Sequence, residues 1–302
     1  EDCNVMFPET QPPKVVPYSV KQTYGKLLAK IEDAFRRDKP LFRLPMYDPW
    51  PYFTGTDEDK DAMVVGRQGQ VVRLIRTAFL KRFESSVEAF RASCQTLMKK
   101  LIYFYLRNTR NTDKERDALE RWWRRNKALV GYDFEAPDPL FRDLDELDEA
   151  EEDVFDSEFS ELVSLKELEG QKFNIHGILE ATIEDLETIA DFLKELEKFE
   201  PRHDKKLSAL VQLLKGQTSG LKDVVLQRGK VLIFTEFMDT ARYLAKQLVE
   251  AGFDAVEEID SGNSKGARQE TIKAFSPYYN DSSSPELDRK STRLNSSHVS
   301  QP

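Results

Sequence analysis

The sequence predicts a mixed fold, in which a predominantly α-helical region is followed by a partial α/β lobe with a parallel sheet. The short apolar run Val231–Phe234, preceded by a glycine, is typical of a strand buried on both faces. A helical pattern over Asp239–Val249 follows and stops at Gly252. A second extended stretch, 253–259, then precedes another helical pattern that ends at Phe275. Strand, helix, strand and helix with short links begin a parallel sheet, whereas the chain before them mostly keeps helical spacing.

Residues 1–60 are predicted to form a connector. Four prolines within the first 17 residues fix φ and remove donors, which favours an extended chain. A helix over Ser19–Phe35 follows, because its apolar residues keep one face. The loop Pro40–Pro51 is rich in proline and aromatic residues, and we expect Trp50 and Tyr52 to pack it against the protein.

A helical region is predicted over 61–200. Apolar residues keep helical spacing over 66–106, and the spacing of Ser85 and Glu88 predicts a capping box with a helix break near Glu84. The first of these two helices is basic, which indicates either a solvated face or a surface near DNA phosphates. Its basic residues are Arg67, Arg73, Arg76, Lys81 and Arg82.

The run Arg121–Arg125 contains two tryptophans between arginines. Arginine and aromatic side chains together can bind phosphates and stack on bases. On a helix, however, Trp122 and Trp123 are expected to anchor the segment while the arginines face water.

An acidic block over 143–169 is predicted to be a solvated insertion. It could also cover a basic DNA groove, or bind a basic protein partner. An amphipathic helix is predicted next over Ala181–Phe199, with Thr182 and Asp185 at its start. Asp204 opens a further helix that ends at Leu214.

The C-terminal residues 281–302 are rich in serine and have no periodicity. RKSTRLNSSHVSQ resembles a translated sequencing-adaptor tail. We therefore expect this tail to be disordered and non-native, and we leave it out of the fold.

The composition is that of a highly charged, helix-rich chain. The net charge is −9, which argues against a uniformly basic nucleic-acid-binding surface, although local basic patches still attract phosphates. No apolar run is long enough to cross a bilayer, so no membrane partner is predicted. Cys3 and Cys94 lie far apart and have no metal-ligand spacing, which favours a reducing, cytoplasmic location. The missing initiator methionine suggests a piece of a longer protein.

Three segments carry a resemblance to a known family. KVLIFTEFMDTARYLAKQL and IDSGNSKGARQETIKAF resemble the opening of the second motor lobe in Swi/Snf-related ATPases of helicase superfamily 2. LIRTAFLKRFESSVEAFR resembles the helices that join the two lobes in bacterial members. The resemblance implies a partial RecA-like lobe over 201–280 and an inter-lobe helical region over 61–200. It also implies that the intact protein uses ATP and Mg²⁺ to move along double-stranded DNA.

The sequence lacks the groups that such a motor needs for hydrolysis. No G-x-x-x-x-G-K-[ST] loop occurs, because Gly25–Lys26 and Gly229–Lys230 have no second glycine at the required spacing. Neither a Walker B strand nor the arginine-bearing motifs of the second lobe are present. We therefore predict no catalytic residue, no metal site and no bound cofactor in this chain.

The resemblance implies that two loops contact a nucleic-acid backbone. The first loop lies just before the helical pattern that begins near Asp239. In this loop the Glu236 side chain is expected either to point away from the phosphates or to pair with Arg242. The second offers small donors and cations at a helix start, which suits a phosphate, although an ordinary capped turn is the alternative. The predicted nucleic-acid-binding residues are Thr235, Glu236, Ser261, Gly262, Asn263, Ser264, Lys265 and Arg268.

Two functions are therefore open. The first is a fragment of an ATP-dependent DNA translocase or helicase, which binds the phosphate backbone of duplex DNA and is not catalytically competent alone. The alternative is a helical protein-interaction module whose acidic insertion binds a basic partner.

Overall fold

The computed structural model describes residues 12–36, 42–56, 62–109, 113–130, 172–218, 230–260 and 264–275. Most of these residues are helical. The α-helices are α1 Val20–Tyr24, α2 Lys26–Ala34, α3 Ala62–Ser85, α4 Val87–Asn108, α5 Asp113–Asn126, α6 Ile175–Glu197, α7 Lys205–Leu214, α8 Met238–Glu250 and α9 Lys265–Phe275. The predicted acidic insertion and the C-terminal tail lie outside the described residues.

The hydrophobic core lies between α3, α4 and α6, and α2 and α5 pack against α6. Aromatic rings fill its centre: Phe90 of α4 lies 5.2 Å from Phe83, 6.0 Å from Phe79 and 5.9 Å from Phe192, measured between ring centroids. Full burial of one such side chain stabilises the fold by about 1.5–3 kcal/mol, so this cluster is a major source of stability. The predicted helical region is therefore present.

The predicted parallel sheet is wrong. Across the described ranges there is no β-strand, and the only bridge is an isolated antiparallel one between Phe53 and Phe173. A strand requires hydrogen bonds to a neighbouring strand, and neither Val231–Phe234 nor the extended stretch 253–259 has a ladder partner there. The run Val231–Phe234 is exposed to solvent instead of being buried on both faces. Hence the described residues of 201–280 do not form a partial RecA-like lobe.

The predicted helix over Ser19–Phe35 consists of two helices. Gly25 separates α1 from α2 with a φ of 51°, a left-handed conformation that a residue with a Cβ adopts at a cost. The side chain of Ser19 accepts a hydrogen bond from the Gln22 N–H and caps α1. The periodicity thus predicted the buried face correctly but missed the break.

The predicted break between α3 and α4 is present, although its cap differs. Ser86, and not Ser85, is the N-cap residue, and its Oγ accepts a hydrogen bond from the Ala89 N–H at 3.1 Å. Glu88 forms an ion pair with Arg91 one turn later. The predicted capping box of Ser85 and Glu88 is therefore wrong, and since Ala89 stands three residues after Ser86, the actual cap has no reciprocal side-chain bond.

Helix α6 begins six residues earlier than the predicted Ala181, because Asn174 caps it by accepting a hydrogen bond from the Gly177 N–H. Asp185, predicted near the helix start, is fully buried within α6. Its carboxylate accepts hydrogen bonds from the N–H groups of Arg43, at 2.7 Å, and Leu44, at 2.6 Å. Asp185 therefore holds the loop 42–48 on the core, a long-range role that no local pattern reveals.

Candidate functional site

The predicted nucleic-acid-binding residues lie next to the starts of two helices. Thr235 and Glu236 precede α8, whereas Ser264, Lys265 and Arg268 lie at the start of α9. Ser261, Gly262 and Asn263 are outside the described residues.

The start of α9 is a capped helix turn with two exposed cations. Ser264 Oγ accepts a hydrogen bond from the Ala267 N–H at 3.2 Å, and the Ser264 carbonyl accepts one from the Arg268 N–H at 3.0 Å. The side chains of Lys265 and Arg268 are exposed. The serine thus satisfies one of the free amides of the first turn, which is what an ordinary capped turn does. Both cations nevertheless stay accessible to an anion.

Glu236 lies beside α3 and not beside Arg242. Its Oε1 is 3.9 Å from Nζ of Lys81, in a pair that is mostly exposed on both sides. Arg242 pairs with Asp260 at 3.3 Å and approaches Glu258 at 3.8 Å. The expected pair of Glu236 with Arg242 is therefore wrong, and Arg242 links α8 to the segment before α9.

A buried cluster of hydroxyls joins α8 to the break between α3 and α4. Thr240 Oγ1 lies 2.8 Å from Ser85 Oγ and 2.7 Å from Ser86 Oγ, and Thr240 is 4% exposed. Since Ser86 also caps α4, its hydroxyl joins the cap and the contact with α8 in one network. We call this cluster, together with the contacts of Asp204, Lys206 and Arg82 described below, the polar junction.

Asp204 extends the polar junction to α7. One carboxylate oxygen accepts a hydrogen bond from the Leu207 N–H at 2.9 Å, which caps α7 as the sequence predicted. The other oxygen accepts one from the Tyr243 hydroxyl of α8 at 3.1 Å. Lys206 donates to the carbonyls of Glu84 and Ser85 at the end of α3, where cations interact favourably with free carbonyls.

A buried arginine forms the third contact of the polar junction. Arg82 is 4% exposed, its guanidinium lies 4.7 Å from the centroid of the Phe237 ring, and its Nη1 is 3.9 Å from Asp239 of α8. An arginine over an aromatic face gains cation–π attraction, which is larger where water is excluded. Asp239, the first residue of the predicted helical pattern, provides a negative charge in the first turn of α8.

The electrostatics of the polar junction follow from burial. Desolvation, together with the charge of Asp204, raises the pKa of the Tyr243 hydroxyl well above its usual range, so this group stays a hydrogen-bond donor. Desolvation also lowers the pKa of Lys206, although Asp204 and Glu84 oppose that change. Tyr243 is thus kept as a donor to Asp204, whereas burial disfavours the charged form of Lys206.

The polar junction is not evident from the sequence. Apolar periodicity indicates which face of a helix is buried, but it does not indicate which distant polar side chains meet. Ser85 and Thr240, for example, are 155 residues apart in the sequence. The one available signal was the pair of serines at the helix break, because only one of them is needed as a cap.

The two tryptophans of the basic run are buried in the core. Trp122 is 0% and Trp123 9% exposed, so neither ring can stack on a base. The arginines face solvent, and Arg124 and Arg125 pair with Glu120 and Glu187. The expected anchoring role is therefore confirmed.

Neither lysine of the two Gly-Lys pairs lies in a phosphate-binding loop within the part of the chain that the structure describes. Lys26 follows a glycine that separates two helices, and the ammonium group of Lys230 donates to the carbonyl of Phe275. Within the described ranges, no group of three or more His, Cys, Asp or Glu residues is arranged to hold a metal ion. We therefore derive no reaction step through a nucleotide.

Comparison with family models, with curated proteins and with solved structures gives no match to this chain. A search of the described helices for one that is both long enough and apolar enough to cross a membrane finds none.

Proposed function

We propose that this chain is part of an ATP-dependent DNA translocase or helicase, in which it contributes contacts to the phosphate backbone of duplex DNA. The observation that carries the proposal is the first turn of α9, where Lys265 and Arg268 are exposed beside amides at a helix start. Contacts of this kind bind phosphates without reading base sequence, which suits a protein that moves along DNA.

The polar junction supports this proposal. A translocase has to transmit force between its DNA-binding surface and the rest of the protein. The helix that contacts DNA, here α9, must therefore be firmly attached through its neighbour α8. Thr240, Tyr243 and Asp239 attach α8 to three other helices through polar contacts that are at least partly buried. Arg242 then links α8 to Asp260, which precedes α9.

Replacement of Arg268 by alanine tests the proposal. We expect salt-dependent binding of a fluorescent DNA duplex, measured by anisotropy, and a weaker affinity for Arg268→Ala because one phosphate contact is lost. The slope of log K against log salt should fall in magnitude by about 1.

The matched control is Lys246→Ala, which removes one positive charge from an exposed position on α8. It should leave the slope unchanged. If the chain binds no duplex DNA, or if both variants weaken binding equally, the start of α9 is not a DNA contact.

ATP hydrolysis is expected to be absent in this chain alone. The reason is chemical: the sequence has no glycine-rich loop with the lysine that holds the phosphates. A phosphate-release assay with duplex DNA present should match a heat-denatured control. Turnover above that control would contradict the expectation that this chain alone does not hydrolyse ATP.

A helical protein-interaction module is the second candidate, and the absence of a sheet from the described residues favours it. In this case the acidic block 143–169, which lies outside the described residues, binds a basic partner. Tight binding of a lysine-rich polypeptide without any binding of duplex DNA would favour this candidate. The reverse result would favour the DNA-binding function.

A further inference from the structure

The segment Val231–Glu236 is an extended piece of backbone that has no strand partner among the residues that the structure describes. Exposure alternates along it, with 44% for Val231, 61% for Leu232, 38% for Ile233 and 86% for Phe234, as expected when successive side chains point to opposite sides. Among the described residues, no hydrogen bond involves a backbone group of this segment. An exposed apolar strand with free N–H and C=O groups is a template for pairing with another strand.

Both ends of the segment are held in place. Before it, Lys230 Nζ donates to the carbonyl of Phe275, the last residue of α9, at 2.8 Å. After it, Phe237 lies under the buried Arg82, and Glu236 faces Lys81. A segment fixed in this way loses less conformational entropy on binding than a free one does.

We propose that this segment pairs with the same segment of a second copy of the chain, as an antiparallel strand pair about a two-fold axis at Ile233. The sequence from Lys230 to Glu236 is complementary to itself in this register. Lys230 of each copy faces Glu236 of the other, and Leu232 faces Phe234. Each pair of copies therefore gains two opposite-charge pairs and a continuous apolar centre.

The existing contacts are compatible with this pairing. An ammonium group has three donors, so a carboxylate of a second copy can bind Lys230 beside its existing contacts, of which the Phe275 carbonyl is one. The Glu236–Lys81 pair is exposed and long, at 3.9 Å, and exposed ion pairs contribute little, so its loss costs little. The charges at the two ends favour this register over one shifted by a residue, because only in this register does each Lys230 face Glu236 of the other copy.

The first test replaces the residue on the axis. Sedimentation equilibrium of the full chain over a range of concentrations should show a reversible dimer. Ile233→Lys places two lysines opposite each other and should leave the chain monomeric throughout that range. Ile259→Lys is the matched control, because Ile259 has a similar exposure of 43% but lies outside the segment, and this variant should dimerise normally.

The second test reverses the charges. Lys230→Glu alone, or Glu236→Lys alone, places like charges opposite each other and should raise the dimer dissociation constant about tenfold. The double variant Lys230→Glu/Glu236→Lys restores both opposite-charge pairs and should return the constant close to that of the original chain. Circular dichroism and thermal unfolding of each variant establish that the helical core is intact.

Four outcomes would overturn the proposal. A monomer at all concentrations excludes the second copy as the occupant. A dimer that survives Ile233→Lys places the interface elsewhere, and failure of the double variant to recover excludes the proposed register. Protection of the Val231–Glu236 amides only after a different protein is added would identify another partner.

Discussion

Asp185 shows how a single buried carboxylate can fix a loop. Two backbone N–H groups, from Arg43 and Leu44, donate to its two oxygens, and Leu44 has a φ of 56°, which is unusual for a residue with a side chain. Arg76 donates to the Phe42 carbonyl beside them, so the loop backbone is held by three side-chain contacts. Removal of the carboxylate would leave two amides without these partners.

Burial gives Asp185 a pH-dependent contribution to stability. Desolvation raises its pKa to about 7 from the ordinary 3.8, and this effect outweighs the two N–H donors and Arg43, which lower the pKa, while Glu184 raises it further. The folded chain therefore binds a proton between these values that the unfolded chain does not bind. Stability from this group is present at low pH and is lost as pH rises from about 4 to about 7.

Chemical denaturation at a series of pH values measures this effect. The free energy of unfolding should fall across that window, by about 1.4 kcal/mol for each unit of pKa shift, and Asp185→Asn should flatten the profile. Asp191→Asn, an exposed position on the same helix, is the control and should keep the slope. A slope that persists in Asp185→Asn would assign the pH dependence to another group.

The helices differ in how much of them could be predicted from sequence. Asp204 caps α7 and Gly252, with a φ of 92°, ends α8 as predicted, because both are local effects of one residue on its neighbours. The break at Gly25 and the start of α6 at Asn174 were missed, since apolar spacing continues across both.

The run Val231–Phe234 failed as a strand for a different reason. Its composition favours a buried strand, but pairing depends on a partner that no local pattern supplies. For the same reason, the sequence revealed neither the contact of Thr240 with Ser85 and Ser86 nor that of Asp185 with the loop 42–48.

At the scale of elements, the hydroxyl network determines whether α8 stays attached. Thr240→Val removes the hydroxyl shared with Ser85 and Ser86 but keeps the shape of the side chain. We expect a loss of about 1–3 kcal/mol in the free energy of unfolding, because buried polar groups lose their partner. Urea denaturation measures it.

Thr188→Val is the control for this prediction. Thr188 lies in α6 and bonds only the carbonyl of Glu184 in its own helix, so the change should stay within about 0.5 kcal/mol. If both variants lose the same stability, the polar junction does not hold α8.

The molecule as a whole is a helical core to which a later part of the chain is attached by polar contacts. The core buries the aromatic cluster around Phe90, whereas α8 is fixed by Thr240, Tyr243 and the buried Arg82. The apolar run before α8 remains exposed. In the described part of the chain, a strand-like sequence motif is thus present beside a helical core without forming a sheet.

Hydrogen exchange of the full chain at high dilution tests this arrangement most directly. We predict that the amides of α8 exchange as slowly as those of α3 and α4, because the polar junction joins them, while the amides of Val231–Glu236 exchange at once. Fast exchange throughout α8, or slow exchange over Val231–Glu236 in the monomer, would contradict the account.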